Sequence, residues 1–304
     1  MKTKQKLGLI SPATGKAFKS LPFQCIEEAE SKLASAGKVQ KEWKQTSISK
    51  RIGIIENAMD YFRENLEFIS RDITLQMGKP IKEARNEVRS MIHRSEILCG
   101  LAGDALSDIS LPKLEGFQRF IRREPLGVVL DIAAWNYPLL IAVNVVVPAI
   151  LAGNAVVIKH SSLTPLCSIV FEDAFEHAGA PDGLVSSLIM DHHITEKVIQ
   201  SGLIHHLAFT GSVGAGRQVQ TSASSQFIDV GLEMGGKDPA YIREDANLKS
   251  VVPGVMDGVF YNAGQSCCSV ERIYVHQEIY EEFVEAFCSS TSKLKLGDPF
   301  NENT

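Results

Sequence analysis

Five short apolar runs recur between residues 127 and 235, each but the last followed by a loop and a helical pattern, and this alternation restricts the fold more than any other feature of the chain. "GVVLDIA" passes through "AWNYP" into "PLLIAVNVVVPAILAG", "AVVIKH" leads to "TPLCSIVFEDAFEHAG", and "LVSSLI" leads to "TEKVIQSG". "HHLAFT" then leads through "GSVGAG" to a helix ending near Gln220, and "QFIDVGLE" closes the series. Repeated strand–helix units with short connections imply a parallel sheet covered by helices on both faces. Right-handed crossovers make that sheet a doubly wound, Rossmann-like α/β domain.

The flanks read differently. From about Cys25 to Ser107 apolar residues recur every three or four positions, as in "RIGIIENAMDYFRENLEFISRDI", with Ser47 and Ser49 available as N-caps. "FQRFIRREPLG" reads as a β segment with imperfect alternation, Phe117 and Ile121 on one face and Phe120 on the other. Beyond Gly236 come a helix, "NLKSVVPGVMDGVFYN", a cysteine-bearing loop, the strand "RIYVH" and a closing helix. One strand with its helix cannot bury its own sheet face, so this second α/β unit is expected to be incomplete. The boundaries expected are a helix-rich part over 1–116, the β segment over 117–126, the dinucleotide-type sheet over 127–235 and the second unit over 236–304.

Composition narrows the partners. With 44% hydrophobic and 22% charged residues in 304, the chain has material for a sizeable core. A net charge of -5 gives no electrostatic reason to expect nucleic acid or an anionic membrane. The longest apolar run, from Pro138 to Gly153, is too short to span a bilayer and contains Asn144 and Pro148. "MKTKQKLGLISPATGK" lacks a signal-peptide core, so a cytoplasmic location is expected. Six cysteines without paired spacing are expected as free thiols, and no His or Cys stands at zinc-ligand spacing, so no metal is expected.

Several stretches can carry chemistry, each with an ordinary structural alternative. "GSVGAG" sets Gly211, Gly214 and Gly216 between a strand and a helix, where backbone N–H groups can meet a phosphate, or where a turn simply needs glycine. "VVIKHSS" brings Lys159 and Ser162 to a strand's carboxyl end, where ligands of such sheets bind and where solvated lysines also occur. Asn136 in "AAWNYP" can offer an amide to an oxyanion or cap a helix. Glu233 in "LEMGGKDP" lies between apolar neighbours, where burial would raise its pKa toward a general-base role, or it serves a turn. In "YNAGQSCCSVER" a thiolate held by backbone dipoles can attack a carbonyl, although paired cysteines often only pack.

Taken in order, "EPLGVVLDIAAWNYP", "PAILAGNAVVIKHSSLTP", "AFTGSVGAGR", "LEMGGKDPAYIREDANL", "NAGQSCCSVERIYV" and "LGDPFNENT" resemble the aldehyde dehydrogenase superfamily from about Leu7 to Thr304. The resemblance implies Cys267 as nucleophile with Cys268 as bystander, Glu233 as general base and Asn136 as oxyanion-hole amide. It implies NAD or NADP as cofactor, with Lys159 and Ser162 at the adenosine ribose, Gly211 and Ser212 in the phosphate loop, Trp135 and Phe209 as walls of the cofactor cleft, and Ile132, Ala134 and Gly216 as further cofactor-binding residues. Ser162 stands where many relatives carry a Glu that would repel a 2′-phosphate, which keeps NADP open beside NAD. The implied partner is a small-molecule aldehyde, and the full-length form a homodimer or homotetramer, with 117–126 as its oligomerisation segment. In the family further chain follows "GDPF", so residues 1–304 are expected to be a fragment, a split-gene product or a decayed copy with little turnover of its own. A non-catalytic nucleotide- or partner-binding remnant, and a thiol esterase or redox-sensing protein, are the alternatives.

Overall fold

The computed structural model describes residues 5–304. It begins with a hairpin that sequence patterning does not announce, β1 (Lys6–Ile10) running antiparallel to β2 (Ala17–Pro22). Four helices follow: α1 (Ile26–Trp43), α2 (Ile48–Glu64), α3 (Leu66–Met77) and α4 (Ile81–Ala105). The Glu28 carboxylate accepts the Cys25 N–H at 2.9 Å at the start of α1, a capping-box contact, and Ala29, Leu33, Ala36, Gln40 and Trp43 form its buried stripe. Ser47 caps α2 by accepting the Lys50 N–H at 3.2 Å, whereas Ser49 lies inside that helix. Gly78, at φ 76°, ends α3 in the left-handed conformation that glycine adopts without steric cost. Two short antiparallel strands, β3 (Ile109–Ser110) and β4 (Phe120–Ile121), then form a small arm, far shorter than the alternation over 117–126 suggests.

The central sheet comes next in the chain: β5 (Val128–Ala133), α5 (Pro138–Leu151), β6 (Ala155–His160), α6 (Leu166–His177), β7 (Val185–Ser187), α7 (His192–Gln200), β8 (His206–Gly211), α8 (Val213–Ala223) and β9 (Asp229–Met234). The strand order is β7-β6-β5-β8-β9 and every pairing is parallel, so the order reverses between β5 and β8 as in a doubly wound sheet. Every residue of β5 and β6 is buried, the signature of a sheet covered on both faces. One covering layer holds α2 to α6 and the other α1, α7 and α8. "GSVGAG" is not a turn: Gly211 ends β8, Ser212 caps α8, and Gly214 and Gly216 lie in its first turns.

The second unit contains one strand more than its sequence suggests. β10 (Asp238–Ile242) leads through α9 (Leu248–Phe260) to β11 (Val270–Val275), its parallel partner, and α10 (Tyr280–Thr291) follows. "DPAYI" escapes pattern reading because it is short and carries Pro239, a residue tolerated on an edge strand. With two strands and two helices the unit builds its own small core on Ile242, Val252 and Phe283, although Tyr241 and Tyr274 are left exposed.

Candidate active site

The reversal of strand order parts the loops at the carboxyl ends of β5 and β8, and a cavity of about 1000 Å³ opens there. Its floor follows from register: Ile132 pairs with Lys159 on one side and with Phe209 on the other, so all three side chains share one sheet face. Ala134 and Trp135 line it from the strand-to-helix connection, and Ser162 and Ser212 lie at its exposed rim. Gly211 has a steric reason to be glycine, since an added Cβ would come within 2.6 Å of the Phe209 ring. Gly216 does not face the cavity; it is buried in α8, where a Cβ would meet Met234 Sδ at 3.0 Å.

Lys159 is 6% exposed, and no hydrogen bond or ion pair to its ammonium occurs among the described residues. Burial lowers its pKa, opposed by the charge of Asp191. A buried cation without a partner, opening on a cavity beside the Ser212-capped N-terminus of α8, fits an anionic, hydroxyl-rich ligand such as a dinucleotide. His192, His193 and Arg217 also line the cavity and were not singled out from the sequence.

Cys267 enters the same cavity from the loop between α9 and β11. That loop is conformationally costly: Asn262 (φ 58°), Ala263 (φ 55°) and Gly264 (φ 75°) are all left-handed, at about 1–2 kcal/mol for each non-glycine residue. Hydrogen bonds offset the cost. The Asn262 N–H donates to Glu83 Oε2 at 2.8 Å, and its Nδ2 donates to the carbonyls of Asn136 (2.9 Å) and Gln265 (3.2 Å). Asn136 Nδ2 donates to the Gln265 carbonyl at 3.0 Å, Tyr137 Oη bonds Ser266 Oγ, and the Gly236 N–H donates to the Cys267 carbonyl at 3.2 Å. Asn136 is thus buried and tied to the cysteine loop, and the Gly-Gly segment after Glu233 is tied to it as well.

Two expectations are corrected. Glu233, near the end of β9, lines the cavity but is exposed rather than buried between its apolar neighbours. The Cys267 thiol is pushed up from its ordinary value, first by desolvation and then by Cys268; the backbone N–H groups of residues 267 and 268 pull the other way without prevailing. Tyr137, beneath the loop, is pushed up to about 12 by desolvation against the pull of Ser266.

The support below the site went unread in the sequence. Glu87, 2% exposed on α4, accepts the Leu139 and Leu140 N–H groups at 2.9 and 3.3 Å and pairs with Lys79, itself 1% exposed and 4.3 Å above the Tyr137 ring. The available signal was the spacing in "GKPIKEARNEV", which puts Glu83 and Glu87 one turn apart on a single helix face.

The sequence model of the aldehyde dehydrogenase family matches residues 1–304. The betaine aldehyde dehydrogenase of Brucella ovis is 34% identical over 317 aligned positions, which cover 100% of this chain and 62% of that protein. Among solved structures, an E. coli NADP-dependent enzyme superposes with a TM-score of 0.94 at 27% identity, covering 99% of this chain and 63% of that one. PnpE in complex with nicotinamide adenine dinucleotide gives a TM-score of 0.94 at 28% identity, covering 99% and 62%. The chain therefore spans less than two thirds of the length of these relatives. Matched by the family's sequence pattern from end to end and by its fold over nearly every residue, the chain belongs to the aldehyde dehydrogenase family.

Proposed function

We propose that this chain carries the thiol, amide and dinucleotide-binding half of an NAD(P)-dependent aldehyde-oxidising site. The observation that supports the reading best is that Cys267, Glu233 and Asn136, from segments far apart in sequence, line one cavity together with the unpartnered Lys159. Lys159, Ser162, Ser212 and the N-terminus of α8 would hold the dinucleotide over the Ile132–Phe209 floor. When bound, a nicotinamide dinucleotide supplies the acceptor for a hydride.

The protein's own part is as follows. Cys267, as thiolate, adds to the aldehyde carbon, and the carbonyl electron pair moves to oxygen, where the Asn136 amide and the Cys267 N–H stabilise it. Each such donor is typically worth about 3 kcal/mol of barrier. Loss of hydride from the tetrahedral carbon leaves a thioester on Cys267. Glu233 then takes a proton from water, the resulting hydroxide attacks the thioester, and the carboxylic acid departs as the thiolate is restored. The thiol matters because a plain aldehyde is a poor hydride donor and its thiohemiacetal a good one. Ser162 in place of a carboxylate leaves room for a 2′-phosphate, which keeps both NAD and NADP as ligands.

The test separates binding from chemistry. Calorimetric titration with NAD and with NADP should show binding that weakens at least tenfold in Lys159→Met. Mixing with p-nitrophenyl acetate should leave an acetyl group on the Cys267 peptide, detected by mass spectrometry and absent in Cys267→Ser. Acetylation that persists in Cys267→Ser on the same loop would overturn the reading.

A further inference from the structure

We propose that Glu83 and Glu87, one turn apart on α4, are positioning residues that set the spacing between the Asn136 amide and the Cys267 loop. The inference rests on the reading of Cys267 and Asn136 given above.

Both groups are delivered by segments whose local conformation does not hold itself. Asn136 and Tyr137 are the residues from which α5 starts, and Tyr137, the residue flanking that helix, has no side-chain capping bond to its first turn. The two N–H groups left free there, those of Leu139 and Leu140, are met instead by Glu87 Oε1. Lys79 neutralises the other oxygen of Glu87 and lies over the Tyr137 ring. Glu87 therefore fixes where α5 begins, and so where the Asn136 amide starts.

Glu83 does the same for the loop. It accepts the N–H of Asn262, the first of the left-handed residues, at 2.8 Å. Without an acceptor, that N–H has no protein partner to offset a conformation that L-residues avoid. The two clamps converge on one atom, because the Gln265 carbonyl accepts from both Asn136 Nδ2 and Asn262 Nδ2. A single helix thus spaces amide and thiol, while neither glutamate lines the cavity itself.

Thiol reactivity tests this without turnover or cofactor. In a Cys268→Ser background, the rate at which iodoacetamide alkylates Cys267 is followed by mass spectrometry between about pH 6 and pH 10, with exposed Cys288 as internal reference. Glu83→Ala releases the loop and turns the backbone N–H groups away from the sulfur, so alkylation at about pH 8 should slow ~5-fold or more and the pH profile should move upward. Glu83→Gln, which keeps an acceptor oxygen, should stay within ~2-fold of the parent. Ile73→Val in α3 lowers the melting temperature through the core and should leave the rate unchanged. Equal rates in Glu83→Ala and the parent, equal slowing by Ala and Gln, or the same slowing in Ile73→Val would each overturn the proposal. None of those outcomes bears on whether Cys267 is the residue acetylated.

Discussion

The Asn136 side-chain amide donates to the Gln265 backbone carbonyl at 3.0 Å, two residues before the Cys267 thiol. An amide nitrogen carries two hydrogens, so one holds the loop and the other remains for a developing oxyanion. Asn136→Ala should therefore lower Cys267-dependent acetylation about 10²–10³-fold. Its effect on folding should be modest, because Asn262 Nδ2 still serves the Gln265 carbonyl at 3.2 Å. Acetylation kinetics and a melting curve on the same sample check both halves.

Breaking the Lys79–Glu87 pair should be expensive. Both side chains are almost fully buried, and removing either leaves the other as an uncompensated charge. Lys79→Met should destabilise by about 3–5 kcal/mol, read as a lower urea midpoint. The double variant Lys79→Met, Glu87→Gln should recover part of that loss, since Gln keeps an acceptor for the α5 N-terminus.

Gly127 and Gly179 both have positive φ, 132° and 73°, but differ in surroundings. A Cβ on Gly127 would lie 2.8 Å from the His205 ring, whose Nδ1 accepts the Val128 N–H at 3.1 Å, while Gly179 has nothing within 4 Å. Gly179→Ala should cost only the backbone penalty of about 1–2 kcal/mol. Gly127→Ala should cost more, roughly 3 kcal/mol or above, because it adds a steric clash to the strained backbone.

Two buried groups on one face of the central sheet make opposite contributions to acid stability. Burial holds His160 at about 3, so between roughly pH 6.5 and 3 the unfolded chain takes up a proton that the native chain does not. Stability then falls with falling pH, by up to ~1.4 kcal/mol per pH unit. Burial raises Asp131 far above its ordinary 3.8, so above that value the native chain keeps a proton the unfolded chain has lost, and stability falls with rising pH. The slopes oppose where they overlap. Asp131→Asn should expose the His160 slope and His160→Leu the reverse one, seen in urea midpoints from about pH 4 to pH 7.

Much of this arrangement is legible in the amino-acid sequence. The repeated strand–helix units announced a parallel sheet covered on both faces, as the full burial of β5 and β6 bears out, and Lys159 was expected at a strand's carboxyl end, where it lines the cavity. The hairpin β1–β2 and the strand β10 were not legible, because short edge strands with few buried positions carry little pattern. Glu83, Glu87 and Asn262 escaped for another reason: the glutamates matter for the N–H groups they accept and Asn262 for the acceptors it reaches, and such pairings between residues as much as 179 apart are fixed by packing. For Glu233 the sequence left both burial between apolar neighbours and a turn role open, and alternation along β9 leaves it exposed at the cavity.

The thiol belongs to a unit whose core is three residues, Ile242, Val252 and Phe283, whereas the Asn136 amide is rooted in the far larger core of the central sheet. Heating should therefore silence the chemistry before it melts the bulk of the secondary structure. Thiol acetylation would fade at a temperature where circular dichroism still reports most of the helices intact. Storage life would then be governed by the smaller core, and substitutions that fill it would prolong reactivity without raising the main melting point.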